Sequence, residues 1–200
     1  MSSGREGGLS DLLTDIAACR ACAADLPHEP RPGVMVGPNT KILICGQAPG
    51  RRVHESGRPF TDPSGDRLRQ WMGVDEATFY DSGKIGVAAM AFCFPGTDPK
   101  GGDYPPPPRC AKLWRAPLMA ALPQMDLTLV IGSYAQAWTF GDAVKPSMTQ
   151  TVQAWRDYAP THLPLPHPSW RNTGWLKKNP WFDAEVVGYL RGRVGEVLER

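Results

Sequence analysis

Short apolar runs that alternate with helical periodicity constrain this fold more than any other feature of the sequence. The apolar runs occupy residues 41–45, 85–93 and 127–131, and a shorter one lies at residues 163–165. Continuous runs of this length are typical of parallel strands that are buried on both faces. The alternation therefore predicts an α/β protein with a mostly parallel sheet and helices on both of its faces.

The intervening segments predict the helices and the place where function should lie. Helical spacing or composition marks residues 9–22, 66–72, 111–122, 133–140, 149–158 and 181–198. Ligands of parallel sheets bind at the carboxyl ends of the strands. We therefore expect functional side chains in three segments that follow strands, residues 46–65, 94–109 and 167–172.

Size, charge and hydropathy exclude several classes of protein. The 200 residues suit a single domain over residues 1–200, with the first eight residues expected to be flexible. The net charge of +2 excludes a polybasic nucleic-acid coat, although a local basic surface stays open. No apolar stretch approaches the length of a membrane span. We expect a monomeric, cytoplasmic protein without a membrane partner.

The cysteines suggest a metal centre. Five is an odd number, which argues against a disulfide framework in a chain without a signal peptide. Cys19 and Cys22 form a C-x2-C pair, and Cys93 and Cys110 form a wide second pair. Four thiolates suit zinc or an iron–sulfur cluster, and the wide pair favours a four-iron cluster over zinc. A third interpretation is that these four cysteines bind no metal. Cys45 lies inside a predicted strand, and we interpret it as a residue of the packed core.

Two polar segments follow apolar runs. Gly46-Gln-Ala-Pro-Gly50 permits a tight turn and close approach of a ligand, and the charged stretch up to Gly65 could hold a planar anionic ligand. The alternative is an exposed loop anchored by Phe60. In the second segment, which starts at His167, the imidazole can donate a hydrogen bond to charge developing on a ligand oxygen, or can be purely structural.

Taken together, these motifs resemble the uracil-DNA glycosylase superfamily. The likeness is greatest to its iron–sulfur branch, often called family 4, and to a related bacterial subgroup with G-Q-A-P-G. It rests on Gly46-Gln-Ala-Pro-Gly50, Gly57-Arg-Pro-Phe60 with Ser64-Gly65, and His167-Pro-Ser169. The resemblance implies a three-layer α/β/α sandwich around a four-stranded parallel sheet. It also implies repair of DNA that contains a deaminated base, uracil above all, by hydrolysis of its N-glycosidic bond.

The resemblance further implies a role for each motif residue. His167 would donate to O2 of the departing base, and Phe60 would stack on that base. A structural 4Fe–4S cluster would be held by Cys19, Cys22, Cys93 and Cys110. Base-binding positions are Gly46, Gln47, Ala48, Phe60 and Ala89, and DNA-binding positions are Ser64, Gly65, Ser169, Trp170, Arg171 and Asn172, with Trp170 a candidate wedge.

The chain departs from the family pattern at two positions. Val53 occupies the place of the catalytic carboxylate, so the group that activates water must be found elsewhere. Glu55 is the first choice and His54 the second, with Asp62 and Asp81 weaker candidates; leaving-group stabilisation alone is a further alternative.

The second departure is Ala89, where family 4 places an asparagine that reads the base. Loss of that amide predicts broader specificity among deaminated bases, because rejection of a wrong base depends on a polar group left unpaired. Two functions compete with the glycosylase: a noncatalytic binder of damaged or single-stranded DNA, and an iron–sulfur electron carrier.

Overall fold

A computed structural model describes residues 3–200 of the chain. Within that range, four strands form one parallel sheet in the order β2-β1-β3-β4. The strands are β1 (Ile42–Cys45), β2 (Ile85–Val87), β3 (Leu127–Ile131) and β4 (His162–Leu165). Their register aligns Ile44 of β1 with Val87 of β2 and Leu129 of β3. The predicted α/β architecture with a four-stranded parallel sheet is confirmed.

Helices connect the strands. They are α1 (Ser3–Ala17), α2 (Arg51–Ser56), α3 (Pro63–Met72), α4 (Glu76–Phe79), α5 (Pro108–Cys110), α6 (Ala116–Ala121), α7 (Gly132–Phe140), α8 (Met148–Gln153), α9 (Thr173–Lys178) and α10 (Gly188–Glu199). Wider π-helical turns join α5 to α6 (Ala111–Arg115) and precede α10 (Phe182–Val187). No helix within residues 3–200 combines the length and the apolar character that crossing a membrane requires.

The core has one layer of contacts on each face of the sheet. Because side chains alternate along a strand, Ile42 and Ile44 belong to a cluster with Leu68 of α3, and Leu43 belongs to a second cluster with Leu118 of α6. All five of these side chains are fully buried. Burial of each contributes roughly 1.5–3 kcal/mol. The packing on both faces produces the predicted three-layer sandwich.

The observed elements differ from the predicted ones at several places. The sequence does not predict α4 or α9, and α8 ends at Gln153 where a helix is predicted up to residue 158. Helix α1 spans Ser3–Ala17 instead of residues 9–22, and Met1 and Ser2 lie outside the described residues; the expected flexibility of residues 1–8 stays a prediction. Strand β2 ends at Val87, although residues 88–92 stay buried. Helix α2 forms where the sequence predicts a loop. Its six residues bury no side chain, so they show none of the apolar periodicity that would indicate a helix.

Candidate active site

A cleft of about 520 Å³ lies at the carboxyl edge of the sheet. Segments that follow β1, β2 and β4 line it, together with the loop that leads into α3. This is the edge at which parallel sheets bind ligands. The lining residues used below are Gly46, Gln47, Ala48, Gly50, Arg51, Arg52, Val53, Phe60, Asp62, Ser64, Ala89, Gly102, Asp103, His167, Ser169, Trp170 and Arg171.

Phe60 is held in the cleft by its backbone. Its φ of 57° lies in the left-handed region, which costs a non-glycine residue about 1 kcal/mol or more. The carbonyl of Phe60 accepts hydrogen bonds from Nη1 of Arg69 (3.2 Å) and from the hydroxyl of Tyr80 (3.0 Å). A Cβ on Gly65 would lie only 1.8 Å from this carbonyl oxygen. Glycine at position 65 therefore allows α3 to approach Phe60, and these contacts fix the aromatic ring.

His167 has a defined hydrogen-bonding arrangement. Its Nδ1 accepts a hydrogen bond from the backbone N–H of Ser169 (3.2 Å), and Nδ2 of Asn172 donates to its carbonyl (2.7 Å). An Nδ1 that accepts leaves the proton of the neutral ring on Nε2. Burial lowers the pKa of His167; Asp62 raises it and Arg171 lowers it further. The neutral ring is thus available as an Nε2–H donor, although the side chain stays open to the cleft.

Arg67, a residue that the sequence interpretation did not identify, ties α3 to the His167 segment. Its Nη1 donates to the carbonyl of Ser169 (3.0 Å), and its Nη2 donates to the hydroxyl of Thr173 (3.3 Å). The two bonds span more than a hundred residues of sequence, so no local pattern could indicate them. They set the position of the His167 segment relative to Phe60.

Charged side chains of both signs line the cleft. Arg51, Arg52 and Arg171 supply cations, and Asp62 and Asp103 supply carboxylates. Nη1 of Arg171 lies 3.6 Å from where a Cβ of Gly102 would be, so Arg171 reaches the loop that carries Asp103. Three guanidinium groups at the rim suit contacts with phosphate oxygens.

The predicted base-binding residues all line this cleft. Carbonyls of Gly46 and Gln47 accept hydrogen bonds from Met90 (2.8 Å) and Ala91 (3.1 Å), which join the first motif to the segment after β2. Nε2 of Gln47 donates to the carbonyl of Tyr104 (3.1 Å). The motif is therefore held from two sides, and its turn at Ala48 stays at the cleft surface.

Arg115 supports the wall of the cleft from behind. It is 1% exposed, and its Nη1 donates to the carbonyls of Ala88 (2.8 Å) and Ala89 (3.2 Å). Its Nη2 donates to Sγ of Cys45 (2.8 Å), which confirms Cys45 as a core residue. The carbonyls that leave the sheet after β2 thus obtain a buried donor instead of a strand partner.

Glu55 and His54 lie on another side of α2. Neither belongs to the cleft lining, whereas Arg51, Arg52 and Val53 do. The His54 ring packs against that of His28, with 3.9 Å between centroids, and its burial lowers the pKa of His54. Nη1 of Arg31 binds the carbonyls of both His54 (2.6 Å) and Glu55 (2.8 Å). The structure does not bring the two preferred water-activating candidates together with His167.

The predicted DNA-binding residues divide into two groups. Ser64, Ser169, Trp170 and Arg171 line the cleft, and the Trp170 side chain is the most exposed large aromatic group, at 74%. Gly65 packs against Phe60, with its N–H bound to the carbonyl of Asp62 (2.8 Å). The Asn172 amide is bound to His167. The last two residues shape the protein segments that carry the site.

The four predicted ligand cysteines line one small apolar pocket. Cys19, Cys22, Cys93 and Cys110 come from three separate segments and meet beside Trp114. Nε1 of Trp114 donates to Sγ of Cys19 (3.2 Å), and the N–H of Phe92 donates to Sγ of Cys110 (3.3 Å). Within residues 3–200, no His, Cys, Asp or Glu group is arranged to hold a metal ion as it stands. The donor set and its N–H···S bonds suit an iron–sulfur cluster.

A comparison with protein families covers nearly the whole cleft. The model of the uracil DNA glycosylase superfamily matches residues 34–191, which include every cleft residue used above. The match begins after Cys19 and Cys22, so it covers only two of the four cysteines in the pocket. A solution NMR structure of a "putative Uracil DNA glycosylase" from Methanosarcina acetivorans is 17% identical, with a TM-score of 0.47, covering 80% of this chain and 94% of that one.

Proposed function

Because this chain belongs to the uracil DNA glycosylase superfamily, we propose that it is a monofunctional DNA glycosylase of base excision repair. Its substrate is a deaminated base in DNA, with uracil the first candidate, and its product is an abasic site. The observation that carries the proposal is that Phe60 and the Nε2–H donor His167 line one cleft at the carboxyl edge of the sheet.

His167 supplies the transition-state interaction. As the bond between C1′ and the base nitrogen breaks, its electron pair passes to the base, and negative charge grows on the base oxygens. A neutral imidazole with its proton on Nε2 donates to O2 more strongly as that charge grows. Partial burial lowers the pKa of His167 and so favours the neutral ring, which donates a hydrogen bond and lets the base leave as a stabilised anion.

Phe60 and the first motif supply recognition. A duplex hides the glycosidic bond, so the nucleotide must leave the stack, at a cost of a few kcal/mol. The fixed Phe60 ring offers a stacking surface, and the turn at Gln47 and Ala48 faces the base edge. Ala89 contributes no amide to the wall, which supports a pocket that accepts hypoxanthine or xanthine besides uracil.

Basic and aromatic side chains at the rim supply the contacts with DNA. Arg171 and Arg51 suit phosphate oxygens, and the exposed Trp170 suits the gap that a flipped base leaves in the stack. The three guanidinium groups of Arg51, Arg52 and Arg171 predict about three phosphate contacts and hence a modest salt dependence.

A structural 4Fe–4S cluster belongs to the same proposal. Cys19, Cys22, Cys93 and Cys110 would hold it, and when bound the cluster would cross-link three segments of the chain. The protein contributes the apolar pocket and the N–H donors of Trp114 and Phe92. One of the linked segments leads from Cys93 to the loop of Asp103, which lines the cleft.

Metal analysis tests the cluster without reference to activity. Anaerobically purified protein is expected to contain about four iron and four sulfide per chain. Cys22→Ala should lose most of this iron, whereas Cys45→Ala, which removes a thiol outside the pocket, should keep it. Zinc, or iron retained by Cys22→Ala, would contradict the assignment.

An excision assay tests the enzyme. Single- and double-stranded oligonucleotides with one uracil, hypoxanthine or xanthine are incubated with the protein, and abasic sites are cleaved with alkali. His167→Ala is expected to slow excision roughly 100–1,000-fold, the cost of losing one oxyanion donor. His162→Ala is the matched control, because His162 begins β4 at the opposite edge of the sheet. No excision of any base by cluster-loaded wild type would refute the proposal.

A noncatalytic binder of damaged DNA is the second candidate. The observation in its favour is Val53, an aliphatic side chain that lines the cleft where the superfamily resemblance places a carboxylate. Tight binding of uracil-containing DNA by the wild type without release of the base would support this candidate.

A further inference from the structure

Hydrolysis of a glycosidic bond needs a group that accepts a proton from water. The sugar becomes oxocarbenium-like as the base departs, and a carboxylate commonly serves on the side of the attacking water. Val53 cannot do so, and Glu55 lies outside the cleft lining. A carboxylate that activates water in this cleft therefore comes from another element.

Among the residues that the structure describes, two carboxylates line the cleft, and they differ in their surroundings. Oδ2 of Asp62 accepts a hydrogen bond from the hydroxyl of Ser64 at 2.6 Å, a strong interaction that occupies one of its two carboxylate oxygens. Asp103 instead stands on the loop after β2, facing Arg171, Arg51 and Asp62. Of the two, Asp103 is the carboxylate that no Ser or Thr hydroxyl engages.

The loop of Asp103 is folded tightly, which fixes the backbone at Asp103. A bridge joins Thr97 to Asp103, and the N–H of Asp98 donates to the carbonyl of Gly102 (2.8 Å). Nε2 of Gln47 binds the next residue, Tyr104, at its carbonyl (3.1 Å). The loop is thereby attached to the first motif rather than projecting freely into solvent.

The Asp103 side chain also reaches the first motif directly. A Cβ on Gly50 would lie 3.6 Å from Oδ2 of Asp103. Gly50 is the N-cap of α2, the helix that carries Val53. The carboxylate of Asp103 thus lies at the start of the helix on which a family member would carry its own carboxylate.

We infer that Asp103 is the general base that activates water in this protein, an inference that rests on the proposed glycosylase function. The water oxygen forms a bond to C1′ while the bond from C1′ to the base nitrogen breaks. The electron pair of the broken bond leaves with the base, which His167 stabilises as an anion. The proton of the water passes to a carboxylate oxygen of Asp103, and solvent later removes it.

The electrostatic surroundings support this role. Burial raises the pKa of the Asp103 carboxyl, and nearby Asp62 raises it as well, whereas Arg171 and Arg51 lower it. A carboxylate with a raised pKa is a stronger base, and one that faces two guanidinium groups stays ionised at neutral pH. Asp103 therefore combines the two properties that a general base needs.

Single-turnover excision from a uracil-containing oligonucleotide tests the inference. Asp103→Asn should lower the rate roughly 100–10,000-fold, the usual contribution of a general base, and leave the Kd for DNA within about threefold. Asp98→Asn is the matched control in the same loop; Asp98 lies outside the cleft lining, and an asparagine can still accept from the N–H of Lys100. Its rate should stay within about twofold of wild type.

Chemical rescue separates a catalytic role from a structural one. Asp103→Ala leaves room for a small carboxylate, so formate should restore part of the rate in a concentration-dependent manner, whereas chloride at equal ionic strength should not. The inference would be overturned if Asp103→Asn stays active or if formate gives no rescue. It would also be overturned if Asp62→Asn or Glu55→Gln shows the expected loss of rate and Asp103→Asn does not. A wild type that excises no base would refute the glycosylase function itself, which distinguishes the two failures.

Discussion

Gly65→Ala is expected to inactivate the protein by moving Phe60. The added Cβ would lie 1.8 Å from the carbonyl oxygen of Phe60 and 2.6 Å from its carbonyl carbon. Real contacts of this kind stay beyond 3.0 Å, so the backbone must separate by on the order of 1 Å, and Arg69 and Tyr80 hold that carbonyl in place. A misplacement of about 1 Å at a reacting centre can cost about 100-fold in rate, or about 2.7 kcal/mol.

The same substitution should cost less in stability than in activity. Overpacking of this kind costs about 1–3 kcal/mol, out of the roughly 5–15 kcal/mol that stabilise a domain, so Gly65→Ala should still fold. Urea unfolding measures the free energy of unfolding, and single-turnover excision from a uracil-containing strand measures the rate.

Gly192→Ala serves as the control for Gly65→Ala. Gly192 lies in the middle of α10, and a Cβ there has no other atom within 4 Å. The added methyl should raise the free energy of unfolding by about 0.5–1 kcal/mol and leave excision unchanged. Excision by Gly65→Ala within threefold of wild type, with normal stability, would refute the role assigned to the close approach at Phe60.

Three further predictions follow from the charges around the site. By NMR, His167 should titrate below its ordinary pKa of about 6.5, and Arg171→Ala should raise the midpoint whereas Asp62→Asn should lower it. The contribution of His167 to stability should be lost as the pH falls below 6.5. A midpoint at or above 6.5 would contradict this prediction. Arg171→Ala should weaken DNA binding and reduce the slope of log K against log salt by about 1, whereas Arg156→Ala, outside the cleft lining, should leave the slope unchanged. Arg115→Ala should lower the free energy of unfolding by about 3 kcal/mol in urea, because a cavity and unpaired carbonyls remain; a loss below about 1 kcal/mol would contradict it.

The strands were predictable because a strand that is buried on both faces appears in the sequence as a continuous apolar run. The apolar runs at 41–45 and 127–131 correspond to β1 and β3 within one residue. The end of β2 was not predictable, because residues 88–92 are as apolar and buried as a strand. The carbonyl of Ala88 accepts a hydrogen bond from Arg115, which is distant in sequence, instead of from a neighbouring strand. Helix α2 was not predictable for the opposite reason, since an exposed short helix has no apolar stripe.

The candidate site was predictable as a set of segments more than as a set of side chains. Residues 46–65, 94–109 and 167–172 follow strands, and the structure brings all three to one cleft. Within them, nearness to Val53 in the sequence favours Glu55 as the water-activating residue. The helical turn of α2 places Glu55 outside the lining, and the folded loop of Asp103 brings a carboxylate from fifty residues away.

Local patterns in the sequence therefore determined the sheet, the layers of helices and the edge at which function lies. These depend on hydrophobic burial and strand direction, which each short segment encodes by itself. Only the tertiary structure determined the proton position on His167, the contacts that hold the Phe60 carbonyl, and the carboxylate that reaches the first motif. Each of these depends on a contact between atoms of segments distant in the chain, at distances near 3 Å that no local pattern specifies.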